Sequence, residues 1–188
     1  MHSFFYLIIS SLAIQAAPSL IGRAEPCFVI GTTALPAEVS DAAASLANTV
    51  TCDTSKTTIS GVPDTIDGST TFSSIDFSKS SQTPLAFALS TFATENNLAS
   101  TDLAKFQEMA NVYVATEAGI RSVGGALDIK VPKFFLAFQI SRIQTAQGSP
   151  PTTPQSQVDH LLQKVLKNSP RESAALKDQV TALSKKLS

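Results

Sequence analysis

The sequence predicts a mainly α fold with a minor α+β character: a helical bundle, a small β-element near an N-terminal disulfide, and an amphipathic C-terminal helical hairpin. Three observations predict it. Residues 132–148, PKFFLAFQISRIQTAQG, place Phe134, Phe135, Leu136, Ala137, Phe138 and Ile140 in two turns, which leaves no polar face wide enough for water, and a helix apolar all round is a buried one. Apolar residues recur at helical spacing through most of the remaining chain. The one stretch without that period, residues 53–82, is rich in Ser, Thr, Gly and Asp.

The segment 132–147 is the expected central helix. It is too short to span a membrane, which takes about 20 mostly apolar residues. Pro132 suits a first helical position and Gly148 the left-handed residue past the end. Burying its large apolar side chains gives, as an upper bound, about 10–15 kcal/mol of transfer free energy. The other helices are therefore expected to pack around it.

The chain opens on an apolar run, Phe4 to Ile9 continued by Leu12, Ala13 and Ile14, followed by small Ala16 and Ala17. This reads as a secretion signal, residues 1–16, cleaved after Ala16 or alternatively after Ala24. It places the mature protein outside the cell, without stable membrane insertion. The mature part has two cysteines, Cys27 and Cys52, and an even count in an exported chain predicts one disulfide.

Residues 25–148 are expected to form the core domain. Cys27 to Ile30 reads as a short strand. A helix follows from Pro36 to about Asn48, with Val39, Ala42, Ala43 and Leu46 on one face. In the β-element at 53–82, Val62-Pro63-Asp64 and Asp67-Gly68 are turn signals. Thr57 to Ile59 and Thr70 to Phe72 are the hairpin arms around them, and Ile75 and Phe77 alternate as on a half-buried strand. Thr83-Pro84 caps a helix ending near Asn97, and Ser100 or Thr101 caps the next, which Gly124-Gly125 stops. Residues 149–154, SPPTTP, form a stiff linker. In the hairpin at 155–188, Ser169 and Glu172 have capping-box spacing.

Charge is nearly balanced at −1 overall, which argues against general nucleic-acid binding. It is unevenly placed: after Asp128 there are three acids against nine bases. Such asymmetry reads first as a solvated surface gradient with no partner, and otherwise as an interaction surface or a dimer pairing opposite ends.

The chemistry available is narrow. Outside the signal there is one histidine, His160, read as an ordinary helix-surface residue. No zinc or iron ligand set, calcium loop, Gly-x-Ser-x-Gly elbow or phosphate loop occurs, so no metal, cofactor or catalytic residue is assigned. Glu95, Glu108, Glu117 and Asp128 are the carboxylates from which a glycoside-cleaving pair would be drawn. Arg121 and Arg142 sit in apolar surroundings. They are candidates for a structural ion pair, Arg121 with Glu117 or Asp128, or for an anion contact. Phe87, Phe92, Phe106, Phe134, Phe135 and Phe138 fill the core or line an apolar pocket.

The segments CFVIG at Cys27, TTISGVPDTIDGSTTFSSIDFS, TEAGIRSVGG and VPKFFLAFQISRIQTAQG resemble small secreted fungal proteins defined only as a domain of unknown function. The resemblance covers nearly all the mature chain. It implies secretion and a single domain, and no activity. The expected function is a secreted, non-enzymatic module that binds a surface or another protein. The rivals are a carrier of an apolar small molecule in a Phe-lined pocket and a carboxylate-dependent hydrolase.

Overall fold

The computed structural model describes residues 25–188. The segment read as a secretion signal, with both cleavage positions, lies outside the described residues. The elements run α1 (Ala37–Leu46), β1 (Thr51–Thr57), β2 (Pro63–Asp67), β3 (Thr70–Thr71), α2 (Pro84–Thr91), α3 (Leu103–Ser122), α4 (Lys130–Ala146), α5 (Val158–Asn168) and α6 (Ala174–Leu183).

The long apolar segment is α4, and α2, α3 and α5 pack against it. Phe135, Leu136, Phe138 and Ile143 are wholly buried. Phe134, Ala137 and Ile140 are only half-buried, so α4 keeps one partly open side. Gly148, at φ 79°, ends the helix in the left-handed region as expected. Pro132 is the third residue of α4, two later than the sequence suggests; its missing N–H still falls in the first turn, where no intrahelical partner exists.

α3 is the second buried axis, and its buried face is partly polar and small. Tyr113 is wholly buried among Phe72, Phe77 and Phe92, with ring centroids 5.1, 6.4 and 5.6 Å away. Its hydroxyl donates to the Ile75 carbonyl at 2.6 Å, and burial pushes its pKa far above the ordinary phenol value. Gly119 stands where a Cβ would lie 2.4 Å from the Phe28 carbonyl oxygen; the N-terminal segment can cross α3 only over a residue without a side chain.

That segment is a correction. Cys27 to Ile30 is a turn, not a strand. It finds no partner strand, and its amides are satisfied differently: Ile30 and Gly31 donate to Ser122 Oγ at 3.2 and 3.0 Å. The Cys27–Cys52 disulfide is present and ties this turn to β1. In the loop-closure picture a ring of 25 residues contributes about 3 kcal/mol.

The β-element is a three-stranded antiparallel meander, β1-β2-β3, but its register differs from the expected hairpin. Pro63 to Asp67, read as turn, is the central strand; Cys52 faces Thr65, and Asp67 faces Thr70 across the two-residue turn Gly68-Ser69. The apolar alternation that announces a strand is missing because its buried side is polar. Asp64 is buried yet accepts from the Ser73 amide at 2.8 Å and lies 3.3 Å from Lys56 Nζ. Thr65 bonds Thr116 Oγ1 at 2.9 Å and donates to the Val112 carbonyl. Ile75 and Phe77 lie in or at the start of short 3₁₀ turns, not on a strand.

Three helix ends also differ. α2 stops at Thr91, because Phe92 turns into the core. α3 is capped by Asp102, which accepts from the Lys105 amide at 3.1 Å, while Thr101 is buried and accepts from the Glu95 amide. The Ser169–Glu172 capping box does not form. Ser169 Oγ closes α5 on the Val165 carbonyl, and Ser173 caps α6. Glu172 reaches across the molecule to α2, accepting from the Leu85 amide at 2.9 Å and the Thr83 hydroxyl at 2.6 Å. The sequence spacing was right for a cap and wrong about which helix it serves. No helix among the described residues is long and apolar enough to cross a membrane.

Candidate functional site

Where α1, α3, α4 and α5 meet, they leave a cleft of about 360 Å³. α3 brings Glu117 and Arg121 to it, α4 brings Lys130, Lys133 and Phe134, and α5 brings Lys164 and Lys167. Residues three apart on a helix share a face, so Lys130 with Lys133 and Lys164 with Lys167 form two short rows. Glu38 of α1 stands at the edge.

The cleft's floor is an ion cluster. Glu117 is buried at 2% exposure. It accepts from Arg121 Nε at 2.8 Å and also pairs with Lys133. One buried carboxylate is thus shared by two half-buried cations. Phe134 forms the apolar wall, with Lys133 Nζ 4.4 Å and Lys164 Nζ 5.9 Å from its ring centroid, a cation–π distance in both cases. Five cations face two carboxylates here, so the cleft carries a net positive charge beside an accessible aromatic ring.

The expected site residues fall as follows. Arg121 pairs with Glu117, not with Asp128, which is exposed before α4. Arg142 joins neither. It lies at the other end of α4, donating to the Leu183 carbonyl at 2.8 Å, the Lys186 carbonyl at 2.7 Å, and Gln139 Oε1. Its guanidinium therefore closes the C-terminal end of α6, where the helix dipole is negative, adding a second donor to the Leu183 carbonyl beside the Lys186 amide.

Of the six phenylalanines, Phe87, Phe92, Phe106, Phe135 and Phe138 are buried in one hydrophobic cluster. Phe87 packs edge-on to Phe92 at 5.8 Å, and Phe135 lies 6.0 Å from Phe138. Phe134 alone of the six borders one of the three clefts described, the basic one.

The four carboxylates do not converge. Glu108 and Glu117 are nine residues apart on α3, about 13 Å along a helix axis, beyond the spacing of either glycosidase type. Glu95, Glu117 and Asp128 border three different clefts. Glu108 serves the sheet instead, accepting from Thr70 Oγ1 at 2.8 Å and lying 3.3 Å from Lys105 Nζ; the Thr70 hydroxyl first and Lys105 second hold its carboxyl below the ordinary glutamate value. His160 is exposed on α5. Among the described residues no group of three His, Cys, Asp or Glu is placed to hold a metal ion.

Sequence reasoning did not single out Lys130, Lys133, Lys164 and Lys167. The signal was present in the basic excess after Asp128 and in the repeated three-residue lysine spacing. What it lacked was the pairing of α4 with α5.

A family model described as a domain of unknown function, DUF7143, matches residues 29–188. No curated protein and no solved structure matches the chain.

Proposed function

The chain belongs to the DUF7143 family, and, since that membership carries no activity, we propose that it is an exported, non-enzymatic binding module whose basic cleft recognises an acidic segment of another protein. The observation that carries this reading is the grouping of Arg121, Lys130, Lys133, Lys164 and Lys167 around the half-buried ring of Phe134. Paired lysine rows suit carboxylates spaced along a peptide, and the ring gives an apolar residue among them a flat contact. Charge of one sign in a concave site also speeds encounter with an acidic partner.

Export is supported by the apolar run at Phe4 to Ile9, by the disulfide and by the resemblance to small secreted fungal proteins. Protein recovered from culture medium is expected to begin at Ala17 or Glu25 on N-terminal sequencing. Recovery only from inside the cell, with Met1 intact, contradicts export.

Recognition is tested by fluorescence anisotropy with a labelled peptide alternating Glu and Leu. Binding is expected to weaken with salt and to fall at least tenfold in the K164E/K167E variant, whose two sites lie on the outer row of α5. A sulfated glycan that binds more tightly than the peptide overturns the assignment to a protein partner. Self-association that K164E/K167E abolishes would instead make a second copy the occupant.

A further inference from the structure

A separate cleft of about 640 Å³ opens between α2, α4 and the C-terminal end of α6. It shares no lining residue with the basic cleft. Arg142 and Gln139, one turn apart on α4, border it and are exposed by only 2% and 1%. Gln179, Lys185 and Lys186 border it as well, and Glu95 is the one acidic side chain there.

The state of Arg142 is unusual. Its three hydrogen bonds run to neutral oxygens, which leaves two of the five guanidinium N–H groups unassigned. No carboxylate among the described residues pairs with it. The end of α6 supplies only about half a negative charge, and the Phe138 ring, 5.7 Å away, adds a weak attraction. Burial lowers the pKa of the group, yet an arginine remains charged. A buried cation without a full counter-charge is costly, and a site of this volume is within the range of small-molecule clefts.

We infer that this cleft binds the carboxylate of a small organic acid, with Arg142 and Gln139 at its inner wall and Lys185 and Lys186 at its rim. The planar guanidinium fork suits a carboxylate. Glu95, on the same cleft, repels any anion and makes binding weaker than the three cations alone would give. The inference is independent of the peptide reading of the other cleft, since a different set of side chains carries it.

The test is titration of isotope-labelled protein with sodium lactate, against sodium chloride at matched ionic strength and inorganic phosphate, following the Arg142 Nε–H and Gln139 side-chain signals. Lactate is expected to shift both saturably. Because R142M alters the packing of α6, two surface variants carry the decision. K185A/K186A is expected to weaken lactate about three- to tenfold, the size of two exposed charge contacts. E95Q is expected to tighten it about two- to fivefold. Shifts that are linear and equal in chloride overturn the inference, as do saturable shifts that neither variant changes and phosphate binding tighter than lactate.

Discussion

The two ends of α4 solve the same electrostatic problem in different ways. Near its N-terminal end, Arg121 and Lys133 share the buried carboxylate of Glu117. Near its C-terminal end, Arg142 is more deeply buried and meets only carbonyl and amide oxygens. The first cluster is an ion pair with surplus cations opening onto a cleft. The second is a peg through the end of α6, with charge left over. Arginines alike in sequence context thus have different work, set by which element packs opposite each.

Loss of the shared carboxylate costs the most. E117A leaves two cations facing an emptied acceptor and is expected to cost about 3 kcal/mol, read as a lower urea midpoint with unchanged slope. R142M removes hydrogen-bond donors without stranding a charge. It is expected to cost about 2 kcal/mol and to raise hydrogen exchange selectively in α6. A cost for R142M above that of E117A would mean that the peg, not the ion cluster, is the stronger tie.

E172A sharpens the picture of the C-terminal hairpin. Glu172 caps α2 through Leu85 and Thr83, so its loss is expected to cost about 1 kcal/mol and to fray α2. Fraying of α6 with α2 unchanged would contradict a cap on α2. The smallest effect concerns acid. The folded carboxyl of Glu108 lies below its ordinary value of 4.5. Its stabilisation is therefore complete above that value and disappears as pH falls through the lower folded one. E108Q is expected to lower stability slightly at neutral pH and to match the unsubstituted protein well below the folded value, so that the acid side of its stability profile is flatter.

Much of this architecture could be read from residues. The all-round apolar α4, the Thr83-Pro84 start, the Gly148 stop, the disulfide and the Glu117–Arg121 pair all follow from local rules of spacing and capping. What could not be read depends on partners distant in sequence. β2 hid because Asp64 and Thr65 are buried polar groups whose partners lie at Ser73 and Thr116. Glu172 fitted a local capping motif but serves a helix 87 residues away. The basic cleft hid for the same reason: no rule of periodicity states that Lys164 will stand over Phe134.

A recognition surface made by the two rows of lysines flanking Phe134 would respond to an acidic peptide residue by residue. Mapping backbone amide shifts on addition of the alternating Glu–Leu peptide tests it most directly. Shifts are expected to be confined to residues 130–134 of α4, 164–168 of α5 and the neighbouring turn of α3, with residues 179–188 unmoved. Saturable shifts centred on residues 179–188, or none at peptide concentrations that bind other basic clefts, would contradict it.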